Sequence, residues 1–130
     1  MIEYFSSIKN IKPSMLEGFF AGWSNPPSRE KHLKILKNSF TAEIAFDTKN
    51  DKVVGFVNAL SDGILYAFIP LLEVLPEYQG KGIGKELIKR IEKRLKRFYA
   101  LDIVCDDKMA VFYHKLGYFK LNGMVKRNYK

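Results

Sequence analysis

The stretch Leu72-Glu73-Val74-Leu75-Pro76-Glu77-Tyr78-Gln79-Gly80-Lys81-Gly82-Ile83-Gly84-Lys85 constrains this chain more than any other. It reads as the end of a strand, a glycine-rich turn and the start of a helix. Glycines 80, 82 and 84 permit close approach of the main chain, and Leu87, Ile88, Ile91, Leu95 and Phe98 then fall on one helical stripe. The first N–H groups of a helix have no internal partner and hold partial positive charge. Such a junction therefore favours an anion, above all a phosphate or pyrophosphate.

The rest of the chain supplies a mixed set of elements around that junction. Ile2-Glu3-Tyr4-Phe5 reads as a short first strand, and Lys12-Pro13-Ser14 starts a helix over Met15, Leu16, Phe19 and Phe20. Asn25-Pro26-Pro27-Ser28 breaks the chain, and Ser28 then caps a second helix through Leu33, Ile35 and Leu36 that ends near Asn38. The runs 41–46 and 53–60, separated by Asp47-Thr48-Lys49-Asn50-Asp51, form a β-hairpin. After the turn Ser61-Asp62-Gly63, residues 64–75 read as a long buried strand in which Pro70 implies an edge or a bulge. Leu101-Asp102-Ile103-Val104 is a further short strand. Asp107 is placed to cap a last helix through Leu116, with Gly117 at its left-handed end, and residues 119–129 are expected to return as strand. Without repeats or a visible linker, this order predicts one layered α/β or α+β domain over residues 1–130.

Bulk properties narrow the setting. The chain has 130 residues, 47% of them hydrophobic, which is enough for one real core and too little for two ordinary domains. Its one cysteine, Cys105, cannot form an intrachain disulfide, and the opening residues lack the pattern of a secretory signal, so a reducing cytoplasm is expected. The most apolar run falls short of the roughly 20 residues that span a bilayer, so no membrane role is expected. The formal net charge of +8 would attract a polyanion. Lys81, Lys85, Lys89, Arg90, Lys93, Arg94, Lys96 and Arg97 hold much of it against Glu86 and Glu92. That pattern suits the solvated face of an amphipathic helix whose first turn meets a ligand.

Spacing separates the phosphate-binding readings of the glycine turn. A Walker loop needs a Ser or Thr after Gly-Lys, and none is present. A Rossmann fingerprint would put its third glycine where Lys85 stands. A tight turn without ligand remains the bland alternative. Gln79, Gly82 and Gly84, however, fit the Gln/Arg-x-x-Gly-x-Gly/Ala motif of the GNAT superfamily of N-acetyltransferases. The chain resembles that family also in the Leu-x-Val-x-Pro-x-Tyr strand end and in Ala110-Val111-Phe112-Tyr113-His114-Lys115-Leu116-Gly117-Tyr118, which looks like its second signature. The resemblance covers roughly the C-terminal half.

The resemblance implies a three-layer GNAT-like fold, with a central mixed, mostly antiparallel sheet flanked by helices, and acetyl transfer from acetyl-CoA to an amine. It implies that Leu72 and Val74 pair through their backbones with pantetheine, and that Gln79, Gly80, Lys81, Gly82, Ile83, Gly84 and Lys85 cradle the phosphates. A splay between the strand ending at Val74 and the one at 101–104 would open the slot for pantetheine. Tyr113 aligns with the tyrosine proposed to protonate the departing thiolate; its phenol, with a reference pKa of about 10, is protonated at neutral pH. The alternative is a core aromatic beside Phe112 and Tyr118.

The amine must lose a proton, since an ammonium of pKa near 10.4 is only about 0.1% free at pH 7.4. Glu73, a carboxylate in an apolar run, is the first candidate for base, its alternative being a solvated or substrate-recognising group. His32 and His114 are weaker candidates. No His, Cys and carboxylate grouping has metal-ligand spacing, so no metal is expected, and Cys105 beside Asp106 and Asp107 lacks an activating cation. Asp107 stands where the family commonly has asparagine. Two rival readings are a catalytically silent acyl-CoA-binding module and a basic nucleic-acid-binding domain, the latter disfavoured because no aromatic residues interleave the lysines. GNAT proteins are often dimers, and the aromatic C-terminus offers a contact surface for a homodimer. The acceptor amine is left open, with Phe20, Trp23 and the helix around His32 as candidate pocket walls.

Overall fold

A computed structural model describes residues 1–128. Strands β1 (Ile2–Phe5), β2 (Thr41–Asp47), β3 (Lys52–Ser61), β4 (Tyr66–Val74) and β5 (Ala100–Ile103) form one sheet in sequence order. The first three pairings are antiparallel, whereas β4 and β5 run parallel. Helices α1 (Arg29–Lys37), α2 (Ile83–Arg94) and α3 (Asp107–Lys115) complete the layers. This is the mixed, mostly antiparallel sheet with flanking helices that the resemblance implies.

Two apolar clusters are built from these elements. In one, Ile83, Leu87, Ile88 and Ile91 of α2 meet Ala45, Val54, Val57, Ala59, Ala67 and Ile69. Each of the four α2 residues is at most 4% exposed, a burial that stabilises by about 2 kcal/mol per side chain before conformational entropy is subtracted. Gly55 makes the close seating possible: a Cβ there would lie 3.1 Å from Leu87 Cδ1 and 3.3 Å from both Ile83 Cγ2 and the Glu73 carbonyl. The first turn of α2 is thereby pressed onto the sheet beside the end of β4. In the second cluster, Leu33 and Leu36 of α1 meet Ile11, Leu16 and Phe20 over Ala42, Ile44, Val53 and Phe56.

The structure departs from the sequence expectations in four places. The stretch 13–20 is a single 3-10 turn, Pro13–Met15, rather than a helix. Gly18 and Phe20 adopt φ of +94° and +64°, and the Glu73 carboxylate captures the Phe20 N–H, so burial of Leu16 and Phe20 is achieved by turns. The strand expected from residue 64 begins at Tyr66, because the Asp62 carboxylate accepts the N–H groups of Ile64, Leu65 and Tyr66 and holds them in a turn. Asp106, not Asp107, caps α3 by accepting the Met109 N–H at 2.9 Å, while Asp107 pairs with Lys120 at 3.4 Å. Residues 119–128 form no strand; Tyr129, the last of that expected element, lies outside the described residues. The tail does pass close to the sheet edge, since a Cβ on Gly123 would lie 3.9 Å from Val104 Cγ2. Phe119, Leu121 and Met124 nevertheless stay exposed.

Candidate functional site

Pro70 divides β4 into two halves with different neighbours. Parallel pairing with β5 runs from Tyr66↔Ala100 to Ile69↔Ile103 and stops there. On the other side, Phe68 faces Leu60 and Leu71 faces Asn58, so β4 has one residue more than β3 across this interval and bulges at Ile69 and Pro70. Proline has no N–H for the ladder, which fits it to this bulge. Beyond it, Leu71, Leu72, Glu73 and Val74 pair with β3 alone, and their opposite backbone edge has no partner strand among the described residues. Leu72 and Val74 pack toward the α2 cluster.

The glycine turn follows at the end of that free edge. Leu75 N–H bonds the Val54 carbonyl at 2.9 Å, Pro76–Tyr78 makes one 3-10 turn, and Gly80 and Gly82 adopt φ of +77° and +84°. A Cβ on either glycine would meet nothing within 4 Å, so the space beside each is open. Gly82 is the N-cap of α2 and offers no side chain to its first amides. In contrast, Ser28 caps α1 by accepting Lys31 N–H, and Asp106 caps α3. Of the three helices, α2 alone begins without a side-chain cap, and its first turn is joined through the glycine turn to an unpaired strand edge. Gln79 bends back, its Nε2 donating to the Val74 carbonyl at 2.9 Å, so its amide secures the turn. Lys81 Nζ lies 5.5 Å from the Tyr78 ring centre.

The candidate acid–base groups have distinct surroundings. Both oxygens of Glu73 accept the Phe20 N–H, at 3.1 and 3.0 Å, and burial raises its carboxyl pKa above the ordinary value despite that bond. Tyr113 is 7% exposed between Phe112 and Tyr118, and burial, with the nearby Cys105 thiol, pushes its pKa up to about 12. Phe112 in turn approaches the first turn of α2, 3.7 Å from where a Gly84 Cβ would stand. His114 lies in the last turn of α3 and is exposed.

The sequence of residues 8–118 matches the Acetyltransferase (GNAT) family pattern. The chain belongs to the GNAT family. Among its relatives, the uncharacterized N-acetyltransferase ycf52 of Pyropia yezoensis is 33% identical over 129 residues, covering 95% of this chain and 74% of the relative. A solved structure from Deinococcus radiodurans R1 assigned to the acetyltransferases superposes with a TM-score of 0.95 at 41% identity, over 98% of this chain and 89% of that one. A GNAT-family acetyltransferase from Streptococcus pneumoniae TIGR4 gives a TM-score of 0.78 at 28% identity over the full length of both.

In this GNAT chain the arginines in and just after α2 make contacts within the molecule, whereas Lys85, Lys89 and Lys93 are exposed. Arg90 bonds Glu86 at 2.7 Å and lies over the Tyr4 ring, Arg94 bonds Thr41 at 2.8 Å, and Arg97 bonds the Gly63 carbonyl and stacks on Phe98. Among the described residues no group of three or more His, Cys, Asp or Glu is placed to hold a metal ion. No described helix is long and apolar enough to cross a membrane.

His32 is one residue whose environment the sequence did not disclose. It lines a cavity of about 320 Å³ bounded by Leu16, Glu17, Gly18, Phe19, Phe20, Pro27, Ser28, Arg29 and Glu30. It is 1% exposed, set against the rings of Phe19, Phe20 and Phe56, and its Nε2 has no hydrogen-bond partner. Burial lowers its pKa from 6.5 to about 4, so it is neutral at pH 7 and a poor base. The unfolded chain protonates first as pH falls, so stability is lost from pH 6.5 downward until the folded-state pKa is reached. Between pH 7.5 and 5 this group alone removes about 2 kcal/mol. Glu43 and Glu73, whose carboxyl pKa values are raised by burial, act in the opposite direction. Urea unfolding of the wild type and of His32→Leu at both pH values isolates the histidine: the wild type is expected to lose about 2 kcal/mol more. Parallel losses would contradict this.

Proposed function

We propose that this GNAT protein moves an acetyl group from acetyl-CoA directly to a primary amine within a ternary complex. The observation that supports this best is the continuity of the unpaired edge at 71–74 with the uncapped first turn of α2. An extended amide-bearing arm that ends in a pyrophosphate matches both parts: the edge offers backbone hydrogen bonds, and the helix amides offer an anion seat. Leu72 and Val74 take the pantetheine. Gly80, Lys81, Gly82, Ile83, Gly84 and Lys85 take the phosphates, with Gln79 holding the turn in shape.

Glu73 receives the proton that the attacking ammonium must lose, directly or through a water. Its raised pKa makes it a better base than an exposed carboxylate, and its bond to Phe20 ties it to the wall of the His32 cavity, the proposed entry for the acceptor. Tyr113 faces the departing sulfur with its hydroxyl protonated. The exposed, unpaired Cys105 suits a reducing compartment, for which we propose the cytoplasm.

Thiol release from acetyl-CoA over a panel of small amines and lysine peptides tests the reading. With the best acceptor, Glu73→Gln is expected to lower kcat by about 10²-fold or more at pH 7. The loss should shrink as pH rises toward the amine pKa, where free amine no longer needs a base. A loss equal at all pH values would assign Glu73 to holding Phe20 only. Acetyl-CoA binding without thiol release on any amine would favour a silent binding module.

A further inference from the structure

We propose that Tyr78 is a positioning residue for the phosphate turn, and that the β2–β3 turn, through Asp47, is the brace that sets the affinity for the acyl-CoA phosphates. The inference rests on the proposed function. Three ties, besides a longer bond from Asn50 Nδ2 to Tyr78 Oη, hold the segment that precedes Gly80. Two return to strands against which the segment already packs: Leu75 N–H to the Val54 carbonyl and Gln79 Nε2 to the Val74 carbonyl. The third crosses to a separate element, as Tyr78 Oη donates to Asp47 Oδ2 at 2.6 Å.

Asp47 is built as a fixed acceptor. It is 5% exposed, and its Oδ1 takes the N–H groups of Lys49 and Asn50 at 3.0 and 3.4 Å. Its Oδ2 takes Asn50 Nδ2 at 2.8 Å as well as the tyrosine. Asn50 Nδ2 also reaches Tyr78 Oη at 3.3 Å, closing a three-residue ring of bonds. These donors stabilise the ionised carboxylate and hold its pKa far below the usual range, so the brace stays charged throughout the working pH range. Lys52 and Lys81 each stand within 5.6 Å of the Tyr78 ring centre, which places two ammonium groups beside the same anchor.

Downstream of this anchor the turn is held by the Gln79 amide on the Val74 carbonyl and, at its far end, by the buried Ile83 that begins α2. A Cβ on Gly80 or Gly82 would meet nothing within 4 Å, and Lys81 is exposed. Of these fixed points, Tyr78 alone ties the turn to the end of β2, so the orientation of the amides proposed to face the phosphates depends in part on where Tyr78 is held. If the anchor is cut, the turn must be ordered at the moment of binding, and affinity falls by the cost of that ordering.

Calorimetric titration with acetyl-CoA, together with steady-state kinetics, tests this on Tyr78→Phe, Asp47→Asn and the double variant. Tyr78→Phe keeps the ring and removes one bond. It is expected to weaken acetyl-CoA binding about ten-fold, equivalent to ~1.4 kcal/mol, and to raise KM by a similar factor while kcat at saturation stays within about two-fold. Because both residues act through one bond, the double variant should bind no more weakly than the worse single one. An unchanged dissociation constant in Tyr78→Phe, or losses that multiply in the double variant, overturns the inference. A flat wild-type titration overturns the proposed function itself, and the brace then has no ligand to serve.

Discussion

Replacing Gly82 with glutamate is expected to abolish acetyl-CoA binding in a chain that still folds. Two effects combine at this position. The residue sits at φ +84°, a left-handed conformation that costs a side chain roughly 1–2 kcal/mol. That cost appears as lost stability, because a Cβ there touches nothing within 4 Å and creates no clash. The larger effect comes with the ligand. A carboxylate about 4 Å from a phosphate is repelled by about 4 kcal/mol per pair of charges at the effective dielectric of a protein surface. Affinity should therefore fall by about 10³-fold, enough to flatten a titration. Gly82→Ala separates the two effects: it carries the conformational cost without the charge. It should lower the unfolding free energy by about as much as the glutamate does and retain measurable binding. Equal binding by wild type and Gly82→Glu would move the phosphates away from α2.

Tyr113→Phe is the second variant with a large expected effect, and its environment sets the size of that effect. With its pKa pushed up to about 12, the phenol remains protonated across any practical assay range. A thiolate with a reference pKa near 8.5 is the weaker base, so complete transfer from this phenol is uphill by roughly 3.5 pKa units, or about 5 kcal/mol. In the proposed reaction Tyr113 would therefore act by hydrogen-bonding the developing thiolate, with the proton supplied from elsewhere as the thiol leaves. The rate loss on removing the hydroxyl is expected near 10²-fold, the low end of general acid catalysis. It should fall on kcat, with the acetyl-CoA dissociation constant unchanged. The wild-type pH–rate profile should show no alkaline limb from this group below pH 10. A Phe variant with full kcat would reduce Tyr113 to a core aromatic between Phe112 and Tyr118.

The parts of this fold that could be read from sequence are those set by local patterns. The α2 stripe, the hairpin of β2 and β3, the Ser28 cap and the bulge at Pro70 each follow from residues within a few positions of one another. The misreadings arise where a distant group intervenes. Met15, Leu16, Phe19 and Phe20 have helical spacing, yet Glu73, 53 residues from Phe20 in the chain, takes the Phe20 N–H and fixes a left-handed turn. Asp106 and Asp107 are adjacent candidate caps, and the pairing of Asp107 with Lys120 accompanies the choice. The tail at 119–128 has strand-like alternation without ladder bonds.

For the candidate site, the glycine turn was legible because glycine at positive φ and an uncapped helix start are local properties. The second contribution to it was not. Asp47, Asn50 and Tyr78 converge from 31 residues apart, and in the sequence the first two read only as turn formers. The His32 environment was likewise hidden, because three aromatic neighbours from two separate chain segments produce it.

The most direct test of the account is calorimetric titration of the wild-type protein with acetyl-CoA. The expected result is a saturable exotherm or endotherm with one site per chain that disappears in Gly82→Glu. No heat of binding at millimolar acetyl-CoA, from a protein shown to be folded, would contradict it.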